Sequence, residues 1–223
     1  MSIRDYILES KDTNTSHFRV NGIDVVEVDT LPPTIELSQL MHKIKEVLPA
    51  HFFQGLEKLA IQHLEEFNER HITAVYKDNS IYITNQQKNV EDLVDDIIHE
   101  FAHHVETLLT EEIYGSRAVA REFKKKRHQL RFELESEGYW TKDYNFDDIE
   151  YDPDFDTFLY KRVGRNMLAM ATAGIFIRPY AAISLREYFA TGFEAYYMGK
   201  KDQLDKISPV LYDTIDKIHH LVE

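Results

Sequence analysis

The residues best suited to chemistry in this chain are His99, Glu100 and His103, within the run His99-Glu100-Phe101-Ala102-His103. Residues four apart lie on one face of a helix, so both imidazoles can reach a single metal ion. Glu100, beside the first of them, can then take a proton from metal-activated water. A solvated polar helix face can spell the same five residues, so the surroundings must decide. Asn89 can cap a helix here, with Asp92 three residues on in a near-capping-box position. Val94, Ile98, Phe101, Val105 and Leu108 then recur at four- and three-residue steps as one apolar stripe. His99 and His103 fall roughly opposite that stripe, together with Asp95, Asp96 and Glu106. The pattern predicts an active-site helix over about residues 90–113 whose polar side walls a cleft. His104 lies a step around the helix from His103 and is expected at the surface or cleft edge.

A catalytic zinc site takes three protein ligands and leaves a fourth position for water. The chain has no cysteine, so sulfur is excluded. A third histidine in an elongated motif would need Gly at 106 and His at 109, where this chain has Glu106 and Leu109. A downstream carboxylate remains, with Glu122, Glu187 and Glu194 as candidates. Glu122 follows His103 after 18 intervening residues, a spacing used by aminopeptidase-type zincins. A basic run, Lys124-Lys125-Lys126-Arg127, comes directly after it, and the amine-binding motif of those enzymes is not visible. Ser184 and Glu187 could also be no more than a capping box at a helix start. Glu194, two turns beyond Glu187, is expected to support the site from behind or to be solvated.

Around Glu187 the sequence resembles the anthrax lethal factor and Pro-Pro endopeptidase family of zinc metallopeptidases. Members place a Glu ligand at the start of a helix of the form Glu-Phe/His-Phe-Ala-x-x-Phe, with a Tyr seven residues earlier. Here Glu187 is followed by Phe189, Ala190 and Phe193, and Tyr180 stands seven residues before it. His-Glu-Phe-Ala-His matches as well. The resemblance covers about residues 80–106 and 175–198, and Thr191 departs from lethal factor, which has a further Glu there. The segment between the two halves, about 80 residues, is longer than the family leads one to expect. The resemblance implies one Zn2+ ion on His99, His103 and Glu187. It also implies Glu100 as general base, Tyr180 as oxyanion donor, and peptide-bond hydrolysis in a zincin-like fold.

The elements that must position these residues can be read from the rest of the chain. Its 223 residues suit a single metallopeptidase domain, and 43% hydrophobic residues supply a core. Residues 18–26 read as a hairpin turning at Asn21-Gly22. Residues 34–70 carry helical spacing divided at Pro49 and Gly55, and residues 72–76 and 80–84 look like strands. The second strand is expected at the sheet edge, where a peptide substrate would add along Ile81, Tyr82, Ile83 and Thr84. From residue 89 onward the pattern is helical, apart from an acidic insertion over 143–156 and an extended piece at 175–180. These readings predict an α+β fold. A small N-terminal mixed sheet with helices spans 1–88, and a mostly helical lobe spans 89–223. The acidic insertion carries seven acids interleaved with aromatics and reads as a solvated loop, or as a lid for a basic substrate. Residues 124–127 read as a mostly solvated basic face.

Charge and hydropathy narrow the partners. A net charge of −13 argues against nucleic acid and, with acids near the cleft, favours a cationic peptide substrate. The longest apolar run, residues 167–177, is too short for a bilayer, and residues 1–16 do not read as a secretion leader. The expectation is a cytoplasmic protein without membrane contact. Two further function classes remain open: a non-catalytic zincin-fold module with structural zinc, and a metallohydrolase acting on something other than peptides.

Overall fold

The computed structural model describes residues 16–221. The residues read above for a leader therefore lie, apart from Ser16, outside the described part. The chain has an α+β organisation, with one small sheet and a mostly helical remainder. It divides into two compact units, one ending at His104 and the other beginning at Val105.

The N-terminal unit is built on a five-stranded sheet of order β1-β2-β3-β5-β4. Strands β1 (Ser16–Val20) and β2 (Ile23–Glu27) form the expected hairpin. Its turn residues Asn21 and Gly22 have φ of 48° and 89°, the positive pair that a type I′ turn requires. Helix α1 (Leu37–Val47) buries Leu37, Leu40, Met41 and Ile44. The helical reading fails at its second half, because Lys58–Ile61 is strand β3. Leu59, Ala60 and Ile61 are fully buried, and β3 runs parallel to β2 on one side and to β5 on the other. A strand covered on both faces loses the two-residue alternation that would have revealed it. A short helix α2 (Glu65–Arg70) leads to β4 (Ala74–Lys77) and β5 (Ser80–Ile83), a hairpin turning on Asp78 and Asn79, both with positive φ.

The hairpin reverses one expectation. Strand β5 is internal, paired with β3 and β4, and the edge belongs to β4. A peptide therefore cannot add along Ile81, Tyr82 and Ile83, whose ladder is already filled. Helix α3 (Val90–Leu108) follows, with the Asn89 Oδ1 accepting from Asp92 N–H at 2.7 Å as its cap. Burial along α3 is wider than one stripe. Leu93, Ile97, Ala102 and Val105 are buried with Ile98 and Phe101, whereas Leu108 is exposed.

In the C-terminal unit the helix expected to run to about residue 113 breaks at Leu109 (φ −118°, ψ 33°) and restarts as α4 (Thr110–Tyr114). Then come α5 (Ala118–Ser136), α6 (Pro153–Thr157), a π-helix (Phe158–Gly164) and α7 (Arg165–Thr172). A 3-10 turn (Pro179–Ala182) precedes α8 (Leu185–Tyr197), α9 (Lys201–Ile207) and α10 (Pro209–His219). The extended piece expected at 175–180 is a turn, with Ile175 and Phe176 N–H both donating to Thr172 O. Gly192 of α8 admits α10: a Cβ there would meet Leu211 Cδ2 at 2.3 Å.

Two of the four residues of the expected basic face are core. Lys126 is buried and donates to Ile175 O and Ile207 O. Arg127 is 1% exposed, stacks 3.9 Å from the Phe155 ring, and donates to Asp148 O and Asn145 O. Burial draws its guanidinium down to about 10, opposed by Asp148, Asp152 and Asp147, so it stays charged at neutral pH. The acidic insertion is correspondingly not just a solvated loop: Phe146 and Phe155 are buried beside that guanidinium. Among the described residues no helix is long and apolar enough to cross a membrane.

Candidate metal centre

Three neighbouring groups lie on α3 within the N-terminal unit. The His99 and His103 rings stand one turn apart, with centroids 4.8 Å from each other and planes at 86°. His103 is buried and His99 half-buried, so the pair sits at a boundary and not on an open helix face. Glu100 is 7% exposed, and its Oε2 accepts from the Tyr76 backbone N–H at 2.6 Å. The edge strand β4 thus fixes the carboxylate next to the imidazole pair. Asp96, one turn before His99, accepts from Gln87 Nε2 at 3.0 Å. Burial raises its pKa, against the pull of Gln87, Thr73 and the nearby His99. His104 is not at a surface: it is 3% exposed, with Nε2 3.0 Å from Gln54 O and Nδ1 3.3 Å from Tyr76 OH.

The start of α8 lies in the C-terminal unit. The Ser184 Oγ accepts from Glu187 N–H at 3.2 Å, so the serine does cap this helix. Glu187 itself is half-buried in the first turn. Tyr180 lies in the preceding 3-10 turn. Although 42% exposed, its hydroxyl is pushed well above the ordinary tyrosine range, first by burial and then by the charges of Glu187 and Asp156. It therefore remains a proton donor across the physiological range. Tyr160, on the π-helix, is raised to about 12 by burial, with Asp156 and Glu187 adding to the shift. Tyr180, Tyr160, Asp156 and Glu187 form one electrostatically connected group within this unit.

Glu122 is committed elsewhere. Its Oε2 accepts from Tyr188 OH at 2.8 Å and Leu211 N–H at 3.0 Å, and its Oε1 accepts from Val210 N–H at 3.1 Å. Val210 and Leu211 are the second and third residues of α10, so Glu122 caps that helix from a distant part of the chain. Glu194 is neither solvated nor in the first turn: it is 3% exposed and paired with Arg178 Nη1 at 2.7 Å. Comparison with protein-family models, curated proteins and solved structures returns no match for this chain. The features that sequence reading missed are the Tyr76 amide, Tyr160 and Arg127. The first is a backbone donor without any residue-type signal. The other two are set by a π-helix and by burial of a charge, neither of which has a spacing rule.

Proposed function

We propose that this chain is a zinc-dependent endopeptidase with a zincin-like fold, holding one Zn2+ ion on His99, His103 and Glu187. The observation that carries the reading is the imidazole pair of α3 with Glu100 anchored beside it by the Tyr76 amide. The donor set fits the ion: two imidazoles and a carboxylate, with no sulfur required and one position left for water. Bound there, zinc would supply Lewis acidity and water with a pKa of roughly 7. Glu100 takes a proton from the attacking water and returns it to the leaving amine. The Tyr180 hydroxyl donates to the oxyanion that develops on the peptide carbonyl. The substrate is a peptide, and the chain's net charge of −13 favours a cationic one. The resemblance to the lethal factor and Pro-Pro endopeptidase family supports the same assignment. The aminopeptidase-type alternative loses support, because the Glu122 carboxylate is occupied as a helix cap.

Elemental analysis of purified protein, paired with a diverse peptide library, tests this reading. Wild type and Glu122→Ala should each carry one zinc, and Glu187→Ala should lose most of it. Wild type should cleave library members internally, whereas Glu100→Gln should bind zinc and leave peptides intact. Stoichiometric zinc without any turnover would favour the non-catalytic module, and a wild type that takes up no zinc would end both readings.

A further inference from the structure

The insertion between residues 143 and 156 has a mechanical link to the first turn of α8. Arg127 reaches from α5 with both terminal nitrogens, Nη1 to Asp148 O at 2.9 Å and Nη2 to Asn145 O at 3.1 Å. The carbon of its guanidinium lies 3.9 Å from the centre of the Phe155 ring and 5.7 Å from that of Phe146, so the anchor sits among the aromatics of the same insertion. One residue beyond Asp148, the Ile149 carbonyl accepts from the Leu185 N–H at 2.8 Å. Leu185 is the first residue of α8, and its amide is one of the helix-start donors that have no partner within the helix. Two residues later comes Glu187. A cavity of about 300 Å³ opens beside this seam, lined by Glu106, Ile149, Glu150, Leu185 and Arg186 among others. Packing does not seal the seam on that side, so the backbone hydrogen bond takes a larger share in setting where the helix begins.

We propose that the acidic insertion is a brace, pinned by the buried Arg127, that fixes the start of α8 and thereby the position of Glu187. Arg127 and the Leu185 amide are positioning groups on this view, and neither touches substrate. Of the seven acids, Asp143, Asp147, Glu150 and Asp154 are exposed, whereas Asp148, Asp152 and Asp156 are half-buried and accept hydrogen bonds from Glu150 N–H, Asp154 N–H and Tyr151 OH. The inference rests on Glu187 being a metal ligand only for its functional consequence. The brace itself is a statement about this unit alone.

Leu185→Pro isolates the link. Proline is favoured at the first helical position, where its fixed φ suits the helix. The preceding Ser184 has φ −156° and ψ 164°, the extended geometry that a residue before proline needs. The substitution deletes the one N–H that reaches Ile149 O, and Leu185→Ala controls for the lost side chain while keeping that N–H. Zinc affinity, read by competition with a chromophoric chelator, should fall about tenfold in Leu185→Pro relative to Leu185→Ala, as expected when a ligand's outer support is removed. Amide exchange over residues 145–149 and 186–190 should rise in the proline variant alone. Equal exchange in the two variants overturns the brace. Raised exchange with unchanged zinc affinity overturns its role in placing Glu187. If wild type binds no zinc, the metal reading fails while the exchange arm still decides the brace. Should Leu185→Pro not fold, Arg127→Lys decides, since it keeps the charge but loses the forked donor. Wild-type exchange and affinity in that variant overturn the proposal, and intermediate losses in both support it.

Discussion

Glu122 separates a structural carboxylate from a metal-binding one, and its cost can be worked out bond by bond. The Ser208 side chain before α10 makes no capping bond, so the carboxylate of Glu122 serves the Val210 and Leu211 amides in its place. It also takes the hydroxyl of Tyr188, which is 1% exposed and has no ready access to water. Glu122→Ala strips three donors of one charged acceptor. At about 1 kcal/mol for each, net of rehydration of the helix end, the loss is about 3 kcal/mol. For a chain of this size that corresponds to a fall in Tm of roughly 10 °C. Glu122→Gln retains an acceptor oxygen without the charge and should lose about half as much. Thermal unfolding followed by circular dichroism, with zinc content measured on the same preparations, checks both numbers. The cap assignment predicts lower Tm with full zinc. A Glu122→Ala protein that melts with wild type and has lost its zinc would refute it and move the ligand role to Glu122.

Further outcomes follow from the same geometry. Glu100→Gln should retain zinc and lose about 10²- to 10⁴-fold in kcat against the best library peptide. Tyr180→Phe should keep zinc and KM while kcat falls about 10²-fold or more, the effect of removing one oxyanion donor. Burial holds the His104 pKa below its ordinary value of 6.5, with Gln54 and Phe52 carbonyls opposing. The folded protein thus binds fewer protons than the unfolded chain just below that value, and stability should be lost as pH falls from 6.5 toward the depressed pKa. Urea unfolding of metal-free protein at pH 7.5 and 5.5 should show a larger loss for wild type than for His104→Gln. Gly192→Ala should destabilise by about 1–3 kcal/mol through the clash with the fully buried Leu211, and adding Leu211→Ala should recover part of it.

The local features of the site were legible in the chain. The cap at Asn89, the helical pair of histidines with Glu100 between them, and the Ser184 cap ahead of Glu187 all depend on spacing within one turn. The positive-φ turn at Asn21 and Gly22 was readable for the same reason. What escaped depends on distant neighbours. Strand β3 hides in a helical-looking stretch because burial on both faces erases alternation. The identity of the edge strand follows from β3 pairing with β5, which no hairpin signal reports. Lys126 and Arg127 looked solvated because charge is normally outside, and their carbonyl partners lie as many as 81 residues away. His104 was misplaced because α3 is enclosed on more than one side, so the angle from an apolar stripe did not predict exposure.

The order of the sheet also has a kinetic meaning. The hairpins β1–β2 and β4–β5 close over two-residue turns, so their pairing is local in sequence. The parallel pairs are different: Asp24 meets Lys58, and Lys58 meets Ser80, only after the intervening loops and helices have lost much of their freedom. Strand β3, the one with the least distinct local preference, is thus expected to enter between two preformed hairpins and complete the sheet. Substitutions such as Ala60→Gly should then speed unfolding and leave the refolding rate nearly unchanged. Until that strand docks, β2 and β5 each present an unpaired edge, so the interval before its arrival is when this chain is most open to pairing with another copy of itself.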